Sequence, residues 1–364
     1  MTACGKQSRL YAVEFLRVWF ILNIIILHTM NRYPEVKDGI MGLLHYPKTE
    51  MALAVECFFV IGGFFLYKRV MTEGAWTLIR KVYLRLMSVL LFGYVLSLAC
   101  NTVMLQKLPR MLAMTIGTSL STSVVSPGDW FIGVYFWTTC LFIGIFKCLP
   151  KSRWLVFGLL VFFALDIKVH ALITPAERTS GYFGTYFSAI GVGMVKGIAC
   201  MGIGIVAGYV SGLFAKYRPR RLARLMFTAA EALALVCVYN AMLNKGHSHL
   251  EYMDLLLYMG LLLISIEHSW GYISALLNRI SVVQYASRYC FPALIGHIVC
   301  IRCLVKYHSF GWNGIACSIF IVAGGIALGM IEYHLVEKLL IPKLKRYICR
   351  NNADECVSTA SNNE

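Results

Sequence analysis

The sequence predicts an all-α polytopic membrane protein with about ten transmembrane helices. Hydrophobic residues make up 59% of the 364 residues and charged residues only 14%, whereas soluble proteins average about 25% charged residues. Apolar runs long enough to cross a hydrocarbon core of about 30 Å recur along the whole chain. Lys and Arg are concentrated in alternate connections between these runs, as is typical of cytoplasmic loops.

The limits of the predicted spans come from the apolar runs. They are residues 14–31, 51–68, 83–104, 130–148, 154–173, 186–213, 223–243, 252–268, 283–305 and 312–336. The fifth span carries Asp166 and Lys168 near its end, and the eighth is short and begins at the acidic stretch HLEYMD. With the amino terminus placed inside, the basic connections fall on one side, which predicts that both termini are cytoplasmic.

We expect one membrane-embedded domain over residues 1–343, followed by a polar, disordered cytoplasmic tail over 344–364. The first apolar run lacks a small-residue cleavage site, so we expect it to remain as the first span. The connection 107–129 is long and partly apolar and is predicted to lie on the outer side, and connections of this length are often functional.

The net charge of +16 would suggest nucleic-acid binding in a soluble protein. In a membrane protein, Lys and Arg retained in cytoplasmic loops explain the same excess, so we expect contact with membrane lipid and not with nucleic acid. Most of the 13 cysteines lie inside apolar runs, and Cys300 and Cys303 have no second pair at zinc-finger spacing. We therefore expect no metal site and no disulfide framework.

Two polar side chains share one face of the first span. Arg17 and His28 are eleven residues apart, which at about 100° per residue places them within about 20° of each other around the helix. They lie about 16 Å apart along its axis, with Arg17 near the predicted cytoplasmic end. Taken singly, Arg17 is explained by snorkelling and His28 by a hydrogen bond at the outer interface. Their common face favours a polar path through the protein, and Glu14 is placed to pair with Arg17.

Two further spans carry ionisable groups at similar depths. Glu56 lies just below the outer end of the second span, where it would either pair with His28 or serve only in packing. In the ninth span Arg288 lies in the cytoplasmic half and His297 in the outer half, which repeats the order of cation and histidine in the first span. Pro292 interrupts the helix between them, and broken helices often line a cavity.

The basic stretch RKVYLR supplies Arg80, Lys81 and Arg85 at the predicted cytoplasmic end of the third span. Retention of positive charge inside explains such a stretch, and so does a docking surface for a phosphorylated ligand.

Taken in order, these segments resemble the acyltransferase 3 family of integral membrane acyltransferases. That family begins with an acidic residue, two residues, Arg, ten mostly apolar residues and His, which matches EFLRVWFILNIIILH at 14–28. FFVIGGF with the following RKVYLR, WFIGVYF, ALIGHIV and YHLVEKLLIP resemble its later segments, so the resemblance covers about residues 9–343. Gly62 departs from the family, which often has Ser there, and we assign it no hydroxyl role.

The resemblance implies an enzyme of the cell (inner) membrane that transfers an acyl group, usually acetyl, from cytoplasmic acyl-CoA. The acceptor would be a hydroxyl group of a cell-surface polysaccharide, a lipid-linked sugar or a similar envelope glycan. Phosphates of the donor suit basic side chains, and we expect four arginines to hold them. These are Arg17, Arg80, Arg85 and Arg288.

For catalysis we expect His28 to be the general base, with Glu56 orienting its ring. His297 is a second candidate base or an oxyanion partner, and a covalent acyl-histidine remains an alternative to direct transfer. A different class of function is a transporter or flippase of an envelope lipid or glycan, which intramembrane charges and a broken helix would also suit. A purely structural scaffold would leave these ionisable groups without a role.

Overall fold

The computed structural model describes residues 10–32, 53–100, 130–173, 185–243, 249–307, 314–340 and 342–343. Every regular element in these ranges is helical, which confirms the all-α class. The helices are α1 (Tyr11–Arg32), α2 (Leu53–Thr72), α3 (Ala75–Ala99), α4 (Trp130–Cys148), α5 (Arg153–Ile173), α6 (Thr185–Leu213), α7 (Arg221–Leu243), α8 (His249–His268), α9 (Tyr272–Leu277), α10 (Val283–Lys306) and α11 (Gly314–Glu332). A π-helix, Tyr333–Leu340, continues α11.

The ten predicted spans coincide with the ten long helices of the described residues. By length and hydropathy, seven of these helices are able to cross a membrane, namely α1, α3, α4, α6, α7, α10, and α11 with its π-helix. The remaining long helices are α2, which carries Glu56 and two basic residues, and α5 and α8, which correspond to the two weakest predicted spans. The connection 107–129 and the tail 344–364 lie outside the described residues.

The third predicted span differs most from the structure. It was expected to begin at residue 83, but α3 begins at Ala75. Hydropathy detects only the apolar part of a helix, and the first turns of α3 are basic and partly exposed. The RKVYLR stretch is therefore helical, and its side chains are spaced around a helix.

Close packing of α2 against α6 depends on two glycines. A Cβ on Gly63 would lie 2.0 Å from the carbonyl oxygen of Met201, and a Cβ on Gly204 would lie 2.0 Å from that of Val60. Helices in membranes associate through small residues of this kind, because lipid supplies little hydrophobic drive for association. The glycines therefore hold α2, which carries one wall of the site described below, against α6.

We predict that Gly204→Ala lowers the stability of the protein, because the new methyl group meets backbone atoms that move only if α2 moves. The expected loss is about 1–3 kcal/mol, as for other overpacked cores. The measurement is thermal unfolding of the purified protein in detergent. Gly144→Ala is the matched control, because a Cβ there has no neighbour within 4 Å. Equal melting temperatures for the two variants would contradict this account of α2–α6 packing.

A second pair of glycines positions α10. A Cβ on Gly325 of α11 would lie 2.9 Å from Cβ of His297, and a Cβ on Gly329 would lie 2.7 Å from the backbone nitrogen of Ala293. The spacing G-x-x-x-G places both glycines on one face of α11, so the backbone of α10 approaches closely there. His297 is consequently held from behind by α11 and is fully buried.

The start of α1 is fixed by a hydrogen-bonding side chain that follows α9. The backbone N–H of Ala12 donates to Oδ1 of Asn278 at 2.9 Å. Nδ2 of Asn278 donates in turn to the carbonyl of Ile266 and to Oγ of Ser269, each at 3.0 Å. One amide thus satisfies an otherwise unpaired helix N–H group and ties α1 to the segment that leads into α10.

Candidate active site

A cavity of about 180 Å³ lies between α1, α2, α3, α4 and α10. Apolar side chains from all five helices form most of its walls. Among the described residues, the basic side chains that line it are Arg17, His28, Arg69, Lys81 and Arg85. The four cations lie on the first turns of α1 and α3 and on the last turns of α2, and we call this part of the bundle the basic end.

The predicted common face of Arg17 and His28 is confirmed, because both side chains line this cavity. Nη1 of Arg17 lies 3.2 Å from each carboxylate oxygen of Glu14, as the one-turn spacing predicted. Its guanidinium carbon also lies 5.2 Å from the centre of the Phe65 ring. A carboxylate and an aromatic face therefore hold Arg17 at the basic end, while His28 lies further along α1.

The structure brings the two candidate histidines into direct contact. Nδ1 of His28 lies 2.9 Å from Nε2 of His297, within hydrogen-bonding distance. Their ring planes are nearly parallel, with centroids 5.2 Å apart and an interplanar angle of 22°, and the two nitrogens meet edge to edge. His28 lines the cavity and His297 is buried behind it. Their matching depths in the first and ninth predicted spans are consistent with this contact.

Glu56 has a different partner from the one expected. It is 1% exposed, and its Oε1 lies 2.9 Å from Nζ of Lys196 on α6, whereas His28 contacts His297. The contact is an ion pair without hydrogen-bonding alignment, since neither carboxylate oxygen makes a well-aligned hydrogen bond within the described residues. The predicted pairing with His28 was wrong, because equal depth does not determine which neighbour a helix face meets.

The four predicted donor-binding arginines separate into two groups. Arg17 and Arg85 line the cavity, whereas Arg80 and Arg288 lie outside its lining. The guanidinium carbon of Arg288 lies instead 5.2 Å from the centre of the Tyr285 ring. Only two of the four arginines are thus placed to act on a ligand in this cavity.

Arg69 was not among the predicted site residues, and Lys81 was named only as part of the basic stretch RKVYLR. The sequence predicts that Lys81 lies on the same side as Arg85 once RKVYLR is taken to be helical. Lys81 and Arg85 are four residues apart and share a helix face, whereas Arg80 is turned about 140° from Arg85. No comparable signal existed for Arg69, because its position against α3 depends on the turn between the two helices.

Gly62 also lines the cavity, and an aromatic side chain occupies the space beside it. A Cβ on Gly62 would lie 2.6 Å from Cε2 of Tyr135 and 2.9 Å from its hydroxyl oxygen. Tyr135 itself lines the cavity and packs its ring 5.9 Å from that of Phe59. The missing side chain at position 62 is therefore what lets Tyr135 come so close to α2.

Sequence comparison with known families agrees with this arrangement. The model of the acyltransferase 3 family, described as an acyltransferase domain, matches residues 10–333. Among curated proteins and among solved structures, none matches the chain. The family match includes every residue that lines the cavity and spans nearly the whole sequence. The chain therefore belongs to the acyltransferase 3 family.

Proposed function

We propose that this membrane acyltransferase moves an acetyl group from cytoplasmic acetyl-CoA to a hydroxyl group of an envelope glycan. A cell-surface polysaccharide or a lipid-linked sugar is the acceptor class. The observation that carries the proposal is a single cavity with four cations at one end and a paired histidine further along. Such a cavity suits a polyanionic donor that delivers its reactive group at a distance from its charges.

The basic end suits the nucleotide part of acetyl-CoA. Phosphate oxygens make short, strong hydrogen bonds to guanidinium and ammonium groups, and Arg binds them in a planar fork. Arg17 and Arg85 are proposed to bind these phosphates from α1 and α3. The pantetheine arm is long and thin, so it would extend between the apolar walls towards His28, about 16 Å along α1 from Arg17.

His28 is proposed to act as the general base. Its ring accepts the proton of the acceptor hydroxyl, while the hydroxyl oxygen attacks the carbonyl carbon of the thioester. The new C–O bond forms, the C–S bond breaks and the CoA thiolate leaves with the bonding electrons. The proton on His28 then passes to the thiolate, so the base is restored.

His297 determines which nitrogen of His28 performs this step. In the contact between Nδ1 of His28 and Nε2 of His297, one nitrogen donates and the other accepts. When Nδ1 of His28 carries the hydrogen and donates it, Nε2 of His28 is left with a free lone pair for the acceptor hydroxyl. The imidazolium that forms keeps this hydrogen bond, so His297 stabilises it. In this scheme Glu56 and Lys196 support the packing of α2 on α6 and take no part in the chemistry.

The proposed topology follows from the same assignment. Acetyl-CoA is a cytoplasmic metabolite, so the basic end would face the cytoplasm and both termini would be cytoplasmic. This orientation agrees with the positive-inside rule and with a cell (inner) membrane location. The acceptor would approach His28 from the opposite end of the bundle, on the side where envelope glycans are assembled or displayed.

We predict that acetyl-CoA stabilises the purified protein against heat. A ligand present at 100 times its Kd adds about 2.7 kcal/mol to the free energy of unfolding. The measurement is thermal unfolding in detergent with increasing acetyl-CoA, and the control ligand is the acetyl thioester of pantetheine, which lacks the nucleotide phosphates. The full donor should raise the melting temperature at much lower concentration than this control.

Absence of any shift at saturating acetyl-CoA would contradict the proposal and favour a transporter or flippase. The acceptor is tested by mass analysis of envelope glycans from cells with the protein, without it and with its His28→Ala variant. Loss of the same acetyl groups in the second and third cells is the expected result. An unchanged pattern of acetyl groups would exclude an envelope glycan as the acceptor.

A further inference from the structure

One carboxylate bridges two of the four cations of the cavity. Glu73 lies in the short link between α2 and α3, beside Gly74. Its Oε1 accepts a hydrogen bond from Nε of Arg69 at 3.0 Å, and its Oε2 accepts one from Nζ of Lys81 at 2.6 Å. Arg69 and Lys81 both line the cavity, so Glu73 neutralises charge that would otherwise face a ligand.

The carboxyl group of Glu73 is ionised at neutral pH. Hydrogen bonds from Arg69 and then from Lys81 lower the pKa of Glu73 below its ordinary value of 4.5. A depressed pKa means that the pairing is present at neutral pH and is lost only as the pH falls below that value. Glu73 therefore contributes a negative charge beside two cations of the cavity lining at neutral pH.

Structural stabilisation does not explain this bridge well. The three side chains keep 26% to 56% of their surface exposed, and ion pairs with such exposure contribute little to stability. Glu14, which pairs with Arg17, and Glu332, which interacts electrostatically with Arg85, both belong to helices. Among the described counter-ions of these cations, Glu73 lies in a link between helices, so it is displaced with the least disturbance of the bundle.

A phosphate group would satisfy the same two cations better than a carboxylate. It offers a third oxygen, and as a monoester it carries a charge of about −1.5 to −2 at pH 7. The carboxylate of Glu73 already places one oxygen against a guanidinium and the other against an ammonium, the two groups that bind phosphate in proteins. The geometry of this bridge is thus that of an occupied anion site.

We propose that Arg69 and Lys81 form a subsite for a phosphate group of the donor, and that Glu73 occupies this subsite while the cavity is empty. The inference rests on the proposed function, because it assigns the subsite to the acyl-CoA donor. Binding of the donor exchanges one anion for another at the same two cations. Glu73 therefore weakens the affinity for the donor. It also disfavours binding of neutral compounds, because a compound without a phosphate makes no new ion pair with Arg69 and Lys81 when it displaces Glu73.

The test is the affinity of the purified full-length protein for CoA, measured by calorimetry in a neutral detergent. Glu73→Gln should bind CoA about three- to tenfold more tightly than the wild type, because two exposed ion pairs need no longer be broken. Glu73→Ala should behave in the same way, which separates the charge effect from a local change in the link. Asp254→Asn, an exposed residue on α8, is the control for net charge and should leave the Kd unchanged.

Arg69→Gln and Lys81→Gln should each weaken CoA binding, and they should also abolish most of the gain from Glu73→Gln in double variants. CoA and 3′-dephospho-CoA compared on each variant show which phosphate uses the subsite. If Glu73→Gln binds CoA as the wild type does, the subsite assignment is overturned, while CoA binding by the wild type still supports the proposed function. If the wild type does not bind CoA at all, the proposed function itself fails.

The phosphate of an anionic lipid head group is the other source of the same chemistry. It is distinguished by repeating the titration in nanodiscs of neutral lipid and of lipid that includes phosphatidylglycerol. Equal gains from Glu73→Gln in both membranes support a donor subsite. A gain that disappears when anionic lipid is present would assign the two cations to lipid and overturn the donor assignment.

Discussion

Replacing His28 with alanine is expected to slow acyl transfer by about 10²- to 10⁴-fold, the usual contribution of a positioned general base. His28 is the histidine that lines the cavity, and among the described residues of the lining no other titratable side chain lies on this part of α1. The fall should appear in kcat, since the donor is held by cations elsewhere. The measurement is acetyl transfer to envelope glycan in membranes that contain equal amounts of each variant.

Thr29→Val is the matched control for this experiment. Thr29 is the next residue on the same helix and is buried, and its hydroxyl donates to the carbonyl of Ile25 within α1. Its loss should leave the rate near that of the wild type. Because the two rings are proposed to act as one unit, the His28→Ala/His297→Ala double variant should be no slower than His28→Ala. Near-normal transfer by a folded His28→Ala protein would remove His28 from the mechanism.

Replacing Arg17 with glutamine should raise the KM for the acyl-CoA donor about 10- to 150-fold and change kcat much less. A hydrogen bond to a charged group contributes about 1.5–3 kcal/mol, and every 1.4 kcal/mol is a tenfold change in affinity. The substitution also leaves Glu14 without its partner at the basic end, where its charge would repel the phosphates. Steady-state kinetics with varied acetyl-CoA concentration separate the two parameters.

Arg279→Gln provides the control, because Arg279 is exposed, has no part in the cavity and changes the net charge equally. It should leave both parameters near those of the wild type. Arg17→Lys should give an intermediate KM, since an ammonium retains the charge but lacks the planar fork of a guanidinium. A large fall in kcat with unchanged KM would show that Arg17 acts on the chemical step and would refute its assignment to donor binding.

Helix periodicity predicted the features of this site that lie on a single helix. The common face of Arg17 and His28, and the pairing of Arg17 with Glu14, both follow from about 100° per residue. The same arithmetic separates Lys81 and Arg85 from Arg80, but it applies only once RKVYLR is known to be helical. Hydropathy had begun the third span only at residue 83, within this stretch, because the charges hide the first turns of α3.

Contacts between helices were beyond this kind of prediction. Depth in the membrane suggested that His28, Glu56 and His297 lie at one level, and depth is readable from position within a span. Which side chains meet at that level depends on the rotation of each helix, which packing decides. Gly63 and Gly204 allow α2 to pack closely on α6, where Glu56 contacts Lys196. Close packing of α11 behind His297 accompanies the contact between His297 and His28.

The close approach of Tyr135 to Gly62 has a consequence for relatives of this protein. A serine at position 62 would place its Cβ where the ring of Tyr135 now lies, so the ring would have to turn aside or be replaced by a smaller side chain. The two positions should therefore covary in an alignment of the family, with glycine accompanying a large aromatic residue and serine accompanying a small one. Family members with glycine and a large aromatic residue at these two positions would then have one cavity shape, and members with serine and a small residue would have another.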